Sequence, residues 1–280
     1  MIKSTKFNIC IVQPKDYIHS LAFLELSELL HYALLELGHQ SSIHINRVEN
    51  DATNIIIGCH LLDPKIIDDI PKTSIIINTE QIYKDKMEWN KNIYAWTQKF
   101  TTWDYSQKNV SALHELGISN CKILKIGFQK ELSRLNMASQ PDIDVLFYGS
   151  INPRRQKVLD ELKALGLKTE ILFGVYGKER DSYIERSKIV INLHHYESEI
   201  FEIVRVFYLL TNSVAVLGEV NPTTTIDDYI LKCIFPSTYE NLTGSCLELL
   251  QKPSDLNDLR KNAFELFSKC PQSSFLEEIL

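Results

Sequence analysis

The sequence predicts an α/β protein made of two domains of similar size in tandem, with mainly parallel sheets. Short apolar segments rich in β-branched residues alternate with helix-like segments along the chain. Such alternation requires crossover connections, and crossovers place neighbouring strands parallel. The alternation lapses once, in a polar segment near the middle of the chain, and then restarts. We therefore expect an N-terminal domain over 1–135 and a C-terminal domain over 142–265, because 280 residues suit two domains of ordinary size.

The first half opens with the apolar segment 8–12, which predicts a strand, and continues with a helix over 21–37. In that helix Leu and Ala recur every three or four positions, and Gly38 follows as a helix-terminating residue. Ser106 is a candidate N-cap for a second helix that runs to Gly117. The remaining apolar runs of this half predict strands at 42–45, 54–59, 74–79, 94–97, 100–103 and 122–126.

The segment 129–142 is polar and contains Pro141, so we interpret it as the linker between the domains. The second half repeats the strand–helix pattern. Strands are predicted at 145–148, 169–173, 189–193, 214–217 and 233–235. Helices are predicted at 154–165, 179–186, 201–210, 239–250 and 255–267. The tail 266–280 ends in an apolar segment, which we expect to pack back on the first domain.

Composition excludes several classes of protein. The chain carries 30 Lys and Arg against 36 Asp and Glu, a net charge of −6, which argues against a non-specific nucleic-acid binder. The first apolar run is too short for a signal peptide, and no stretch is long enough to span a membrane. The six cysteines are scattered without a CxxC pair, as in a reduced intracellular protein. We expect a cytoplasmic protein.

Ligands of open parallel sheets bind beyond the carboxyl ends of the strands, near helix N-termini. The first such junction of the second half runs from Gly149 to Arg155. Gly149 permits close approach of the backbone to a ligand, and Ser150 or Asn152 can cap the following helix. Arg154 and Arg155 put positive charge where the helix dipole opposes it, which suits a bound phosphate. The alternative is an ordinary turn whose arginines face water.

The second junction contains Phe173, Gly174 and Tyr176. Two glycines, Gly174 and Gly177, flank the tyrosine, and such a loop can present its backbone to a planar base. The alternative is a plain turn with a packing tyrosine.

The third junction follows the predicted strand 189–193 and is the richest in polar side chains. Glu202 and Arg205 lie three positions apart and therefore share a helix face. A carboxylate there can accept both hydroxyls of a ribose, while a guanidinium binds a phosphate. The alternative is a simple intrahelical ion pair. The neighbouring candidates for ligand contact are Asn192, Tyr196 and Glu197.

A metal site at the third junction is disfavoured. His194 and His195 are adjacent, so their side chains diverge, and no HExxH motif accompanies them.

Taken in order, these segments resemble the C-terminal donor half of GT-B glycosyltransferases, in particular a group associated with bacterial and viral surface glycans. The resemblance covers 143 to about 220, and 124–128 is similar to the strand end that leads into the interdomain linker of that fold. It rests on segments 147–155, 172–181, 187–192 and 196–205.

The resemblance implies two Rossmann-like domains that face a central cleft. It also implies a nucleotide-diphosphate sugar as donor substrate, held mainly by the second domain, with no other cofactor and no essential metal. The nearest DxD motif is 142–144, and it precedes its strand. One departure concerns the two glutamates that many retaining members carry eight positions apart. Glu199 matches the first, but Phe207 stands where the second would be. Glu202 or Glu197 is the alternative, so the stereochemical course stays open.

The first domain must then bind the acceptor, expected to be a hydroxyl of a glycan or of a lipid-linked saccharide, and supply any catalytic base. Glu80, His60 and Asp104 each follow a predicted strand, and His19 lies after the first strand. Glu80 is preferred, because an acid directly after an apolar strand is partly desolvated and hence more basic. Asp104 has the alternative of a cap beside Ser106.

Two further expectations concern partners. The lysines of the first half predict a peripheral contact with an anionic membrane, with ordinary solvated surface as the alternative; they are Lys3, Lys6, Lys15, Lys84, Lys86, Lys91 and Lys99. The incomplete glutamate pair leaves a second hypothesis, a non-catalytic two-lobed protein that binds a nucleotide or small anion. An NAD-dependent oxidoreductase is disfavoured, because no GxGxxG follows the first strand.

Overall fold

The structure, a computed structural model, describes residues 4–82 and 87–280, without the side chains of 87–90. The chain divides into two compact units. Unit 1 consists of the chain up to Gln129 together with Pro271–Leu280, and unit 2 of Lys130–Cys270. Each contains one sheet, and every strand pairing among the described residues is parallel. The predicted α/β class with parallel sheets is confirmed.

Unit 1 has a six-stranded sheet of order β2-β1-β3-β4-β5-β6. The strands are β1 (Lys6–Ile11), β2 (Gln40–Ile45), β3 (Thr53–Ile57), β4 (Ile75–Asn78), β5 (Thr101–Asp104) and β6 (Cys121–Ile123). The helices between them are α1 (Leu24–Glu36), α2 (Met87–Thr97) and α3 (Gln107–Glu115), with 3₁₀ turns at Ile18–Phe23, Cys59–Leu61 and Pro64–Asp69. Ile9, Ile55 and Ile76 on the central strands are fully buried, as both faces of a parallel sheet require.

The strand predicted at 94–97 is wrong, because these residues form the last turn of α2. Ile93, Trp96 and Thr97 are buried at helical spacing, and the Trp96 ring stacks on Phe100. A short apolar run does not distinguish a buried strand from the end of a buried helix.

Unit 2 has a five-stranded sheet of order β11-β10-β9-β7-β8. The strands are β7 (Ile143–Tyr148), β8 (Thr169–Leu172), β9 (Ser187–Asn192), β10 (Val216–Glu219) and β11 (Phe235–Ser237). The helices are α4 (Pro153–Ala164), α5 (Gly177–Glu185), α6 (Ile203–Thr211), α7 (Asp228–Leu231), α8 (Leu242–Gln251) and α9 (Pro253–Phe267). β10 lies two residues later than the predicted strand 214–217, which brings Glu219 into the strand.

The segment interpreted as a linker packs on unit 2. It forms a 3₁₀ turn at Lys130–Leu132 and buries Leu132 completely. The Asn212 side chain accepts hydrogen bonds from the backbone N–H groups of Arg134 and Leu135 and donates one to the Leu132 carbonyl. A single buried amide therefore fixes a segment whose composition is that of a loop.

The C-terminal helix α10 (Gln272–Glu277) belongs to unit 1 and packs against α1. The buried Gln272 side chain accepts from the Gly127 N–H at 2.7 Å and donates to the Lys125 carbonyl at 3.1 Å. Phe128 and Pro271 form an isolated parallel bridge. The part of the tail that returns to unit 1 thus begins at Pro271 rather than 266.

None of the helices in the described part of the chain has the length and apolar character needed to cross a bilayer.

Candidate functional site

The polar junctions of unit 2 lie together at the carboxyl edge of its sheet, where β7 and β9 are neighbours. After β7, Asn152 caps α4 by accepting a hydrogen bond from the Arg155 N–H, and its Nδ2 donates to the His195 carbonyl. Gly149 has φ +137°. A Cβ there would lie 2.9 Å from Arg205 Nη2 and 3.8 Å from Arg155 Nη1. Glycine thus lets the backbone approach two guanidinium groups at once.

Arg155 is 1% exposed, and its guanidinium binds the backbone. It donates to the carbonyls of Ser150 at 2.9 Å and Leu193, and at 3.3 Å to that of His194. Burial, reinforced by the positive charge of Arg205, lowers the pKa of Arg155 to about 10, so it stays protonated at neutral pH. Its position fixes the turns after β7 and β9 relative to each other.

Arg154 is paired with a carboxylate that the sequence analysis did not single out. Both terminal nitrogens of Arg154 donate to Glu219, with Nη1 at 2.7 Å from Oε2. The ring of Tyr239 lies 3.8 Å from the guanidinium carbon, and the Tyr239 hydroxyl donates to the Arg154 carbonyl. Burial opposes the charge of Arg154, but the bonds to Glu219 outweigh it and raise its pKa.

Glu202 precedes α6 and faces the same cluster. Its Oε2 accepts from Asn192 Nδ2 at 2.8 Å and lies 3.2 Å from His194 Nδ1, while Oε1 lies 3.5 Å from Arg155 Nη2. Burial opposes ionisation of Glu202. The hydrogen bond with His194 and the charges of the nearby arginines outweigh it, so the pKa is lowered.

Arg205, in the first turn of α6, is half-buried. Its Nη1 donates to Asn192 Oδ1 at 3.3 Å, and its guanidinium carbon lies 5.7 Å from the centre of the Tyr148 ring. On that ring a second guanidinium, that of Arg180, lies at 5.8 Å. Arg205 therefore shares its surroundings with other positive charges, which is an arrangement that favours a bound anion.

The second junction carries the most exposed large apolar side chain of the described residues, Phe173 at 61%. Gly174 and Gly177 have φ of +72° and +56°, so the loop uses conformations that favour glycine. Tyr176 is half-buried at the start of α5.

At the third junction, the His195 and Tyr196 rings pack edge to face with centres 4.6 Å apart. Nδ1 of His195 lies 3.5 Å from Ser150 Oγ, and Glu197 is exposed.

The structure thus brings several candidates together: Arg154, Arg155, Asn192, Glu202 and Arg205 belong to one hydrogen-bonded network that runs through His194. The network also contains Glu219, Asn221 and Thr224, which sequence reasoning missed. The available signal was an acid at the end of an apolar run, the same signal that selected Glu80.

Glu199 lies in the turn before α6 with φ +48°. Its carboxylate accepts hydrogen bonds from Asn221 at 2.9 Å and from Thr223. Phe207, at the position of the second family glutamate, is fully buried within α6.

In unit 1 the carboxyl edge of the sheet is organised by Asp104, the last residue of β5, which is fully buried. It accepts hydrogen bonds from Asn78 Nδ2 at 2.6 Å, the Ser106 N–H at 2.8 Å and Asn109 Nδ2 at 3.1 Å. Both amides also donate to the Glu80 carbonyl. Burial raises the pKa of Asp104 to about 7, against the effect of these hydrogen bonds. Asp104 thus holds the turn that carries Glu80. The bond that it accepts from the Ser106 N–H corresponds to the alternative role of Asp104, that of a cap beside Ser106.

Glu80 Oε1 lies 3.4 Å from His60 Nε2, with the two side chains 20% and 7% exposed. Burial lowers the pKa of His60, and the negative charge of Glu80 partly opposes this. Burial and the charge of Glu80 both raise the pKa of Tyr17. The His19 ring contacts Tyr17 edge to face.

Of the lysines that predict a membrane contact, Lys3, Lys84 and Lys86 lie outside the described residues. Lys6 is paired with Glu49 and Asp51, at 2.8 Å each.

Among residues 4–82 and 87–280, no group of three or more His, Cys, Asp or Glu is placed to hold a metal ion. The acids of the DxD motif are engaged elsewhere, since Asp142 pairs with Arg186 and Asp144 with Lys188, both at 2.6 Å.

The chain matches no protein-family profile. It is similar to two proteins of Acanthamoeba polyphaga mimivirus. L140 is 27% identical over 188 residues, which is 65% of this chain and 57% of L140. L138 is 30% identical over 165 residues, 55% of this chain and 18% of L138. The chain therefore spans from a fifth to somewhat more than half of these relatives.

Similar solved structures cover nearly the whole chain at low sequence identity. The Anabaena protein HepE, in complex with UDP, has a TM-score of 0.59 and 11% identity over 99% of this chain and 98% of its own. WaaG, a glycosyltransferase involved in lipopolysaccharide biosynthesis, has a TM-score of 0.61 and 8% identity over 97% of this chain and 98% of its own. BGT of T4 phage, in complex with UDP and Mn²⁺, has a TM-score of 0.58 and 13% identity over 98% of this chain and 97% of its own.

Proposed function

We propose that this chain, whose fold is that of the GT-B glycosyltransferases, transfers a sugar from a nucleotide-diphosphate sugar to a hydroxyl of a glycan or lipid-linked saccharide. The observation that carries the proposal is the cluster of Arg155, Arg205 and Glu202 around Gly149. It combines guanidinium groups, a carboxylate kept ionised and a backbone that a ligand can approach closely.

In this proposal Arg205 is the principal phosphate ligand. Its contacts in the site are Asn192 and the aromatic ring of Tyr148, neither of which neutralises its charge. Arg154 is already paired with Glu219 and contributes less. Arg155 is a positioning residue, because its donors are used by backbone carbonyls.

Glu202 is proposed to accept the ribose hydroxyls, since an ionised carboxylate can accept two hydrogen bonds at once. The exposed ring of Phe173 and the glycine-rich loop with Tyr176 are proposed to pack on the base. The positive charge of Arg205 then stabilises the diphosphate as it leaves, which favours transfer without a metal. Mn²⁺ accompanies UDP in the T4 phage structure, so metal independence is tested directly, by comparing turnover with and without EDTA.

For the acceptor we propose Glu80 as the base that takes the proton from the attacking hydroxyl, with His60 beside it. Asp104 is fully buried and acts by holding the Glu80 turn.

The test begins with a thermal-shift panel of UDP, GDP and their sugars, because a ligand that binds only the folded state raises the melting temperature. A shift with one nucleotide family is expected, and no shift with any of them contradicts the proposal. The affinity for the nucleotide that gives the shift is then measured in the Arg205→Ala variant. This variant is expected to bind the nucleotide at least tenfold more weakly, because it lacks a charge-assisted hydrogen bond. Arg186→Ala is the matched control: Arg186 directly precedes β9, at the opposite edge of the sheet, and pairs with Asp142. Nucleotide binding without transfer to any acceptor in a broad screen favours the non-catalytic binding protein instead.

A further inference from the structure

Glu219 is a fully buried carboxylate outside the residues proposed to contact the donor. Its Oε2 accepts from the His194 N–H at 2.9 Å and from Arg154 Nη1 at 2.7 Å. Its Oε1 accepts from Arg154 Nη2 and from Asn221 Nδ2 at 2.7 Å. A buried carboxylate is costly unless such donors compensate it. These donors belong to three separate segments, namely the start of α4, the turn after β9 and the loop after β10.

A chain of hydrogen bonds leads from this carboxylate to Glu202. The Asn221 N–H donates to Thr224 Oγ1 at 2.9 Å, and that hydroxyl lies 3.0 Å from His194 Nε2. On the other side of the ring, His194 Nδ1 lies 3.2 Å from Glu202 Oε2.

The partners of the ring select its tautomer. An ionised carboxylate only accepts hydrogen bonds, so Nδ1 must carry the hydrogen that faces Glu202. In the neutral ring Nε2 is then an acceptor, and the Thr224 hydroxyl donates to it. The His194 side chain is 1% exposed, so water does not compete for either nitrogen.

We propose that Glu219 is a positioning residue of the donor site, which acts on Glu202 through His194. It holds the backbone of His194 directly, and through Asn221 and Thr224 it fixes the orientation of the ring. His194 and Asn192 then hold one oxygen of Glu202, and this sets the direction in which the other oxygen points. The inference rests on the proposed function, in which Glu202 binds the ribose.

The first measurement needs no nucleotide. Imidazole ¹⁵N shifts of His194 in the ligand-free protein report which nitrogen carries the hydrogen. We expect the Nδ1–H form in the wild type. Thr224→Val removes the hydroxyl that donates to Nε2, and Glu219→Gln weakens the hold on the loop that carries Thr224. In both variants the Nε2 resonance is therefore expected to move downfield, towards that of an imidazole nitrogen that accepts no hydrogen bond. Thr243→Val is the matched control, since the Thr243 hydroxyl bonds Glu161 on the surface of unit 2. An unchanged Nε2 resonance in both Thr224→Val and Glu219→Gln overturns the inference.

The second measurement is UDP affinity by isothermal titration in a double-mutant cycle. As single substitutions, with Glu202 retained, Thr224→Val and Glu219→Gln are each expected to weaken UDP binding at least fivefold. In a Glu202→Gln background each is expected to change it less than twofold, because both act through Glu202. Equal losses in the two backgrounds indicate general destabilisation and overturn the inference.

The two measurements separate the possible failures. If the Nε2 resonance of His194 responds as expected but the wild type binds neither UDP nor GDP, the positioning of His194 stands and the proposed function fails. If UDP binds and neither variant affects it, the proposed function stands and the inference fails.

Discussion

At the carboxyl edge of each sheet a fully buried charged side chain joins the turns, Arg155 in unit 2 and Asp104 in unit 1, and these two are chemical opposites. In unit 2 the Arg155 guanidinium donates to the carbonyls of Ser150, Leu193 and His194. In unit 1 the Asp104 carboxylate accepts from Ser106 and from two asparagine amides. Each joins the turns that follow neighbouring strands, so each fixes the shape of its edge.

Their surroundings differ in charge. Arg155 lies beside Glu202 and Arg205, and its pKa of about 10 keeps it charged at neutral pH. Asp104 has neutral hydrogen-bond partners, and burial raises its pKa to about 7. The edge of unit 2 therefore carries permanent charge, which suits a polyanionic ligand. The edge of unit 1 depends on Asp104, which titrates near neutrality. Asp104 holds the turn that carries one further carboxylate, that of Glu80.

The largest effect is expected for Arg155→Met, which should lower the free energy of unfolding by about 3–5 kcal/mol. The substitution leaves the Ser150, Leu193 and His194 carbonyls without their donor in a buried site. Urea denaturation followed by far-ultraviolet circular dichroism measures the loss.

Arg186→Met serves as the control for that experiment. Arg186 and its partner Asp142 are 48% and 52% exposed, so breaking this pair should cost about 1 kcal/mol or less. Equal losses in the two variants would remove the distinction between a buried and a surface arginine.

The second prediction concerns Asp104 and pH. Its pKa is about 7 in the folded chain and about 3.9 when unfolded, so between these values the folded chain retains a proton that the unfolded chain has lost. Stability contributed by Asp104 is therefore complete below about pH 4 and is lost as pH rises to about 7. The expected slope reaches about −1.4 kcal/mol per pH unit within that window.

Asp104→Asn isolates this contribution, since other carboxylates titrate in the same range. The variant is expected to be less stable, because its amide nitrogen must face either the donor of Asn78 or the donors of Ser106 and Asn109. The measured quantity is the slope of unfolding free energy against pH, which should be more negative in the wild type. Equal slopes in the wild type and in Asp104→Asn would mean that Asp104 is ionised over the whole pH range. The ionised form is the one that its three hydrogen-bond donors favour.

The sequence predicted the parts of both edges that depend on local pattern. Glu202, expected to share a helix face with Arg205, precedes α6, but strand–helix alternation and turn residues located the junctions. These features depend on neighbours in the chain, which hydrophobic periodicity and turn chemistry record.

What the sequence did not reveal are partners that are distant in the chain. Arg154 meets Glu219 sixty-five positions later, and Asn212 fixes the segment after Lys130 from almost eighty positions away. Glu219 also ends β10, which lies two residues later than the predicted strand 214–217, so the predicted strand does not include it. Pairing of buried polar groups is decided by the packing of strands and turns, and a single sequence carries no periodic signal for it.

The smallest expected effect compares Glu80 with its neighbour His60 in unit 1. Burial lowers the pKa of His60 and the charge of Glu80 partly opposes it, so Glu80→Gln should lower that pKa further. The imidazole C–H resonances followed against pH measure it, with Asp51→Asn as the control because Asp51 pairs with Lys6 before β3. Since unfolded His60 takes up a proton first, the chain should lose stability as pH falls below about 6.5, and more so in Glu80→Gln. A His60 pKa that stays unchanged in Glu80→Gln would show that the two side chains are not coupled, and Glu80 would then lack the imidazole that we propose stands beside the base.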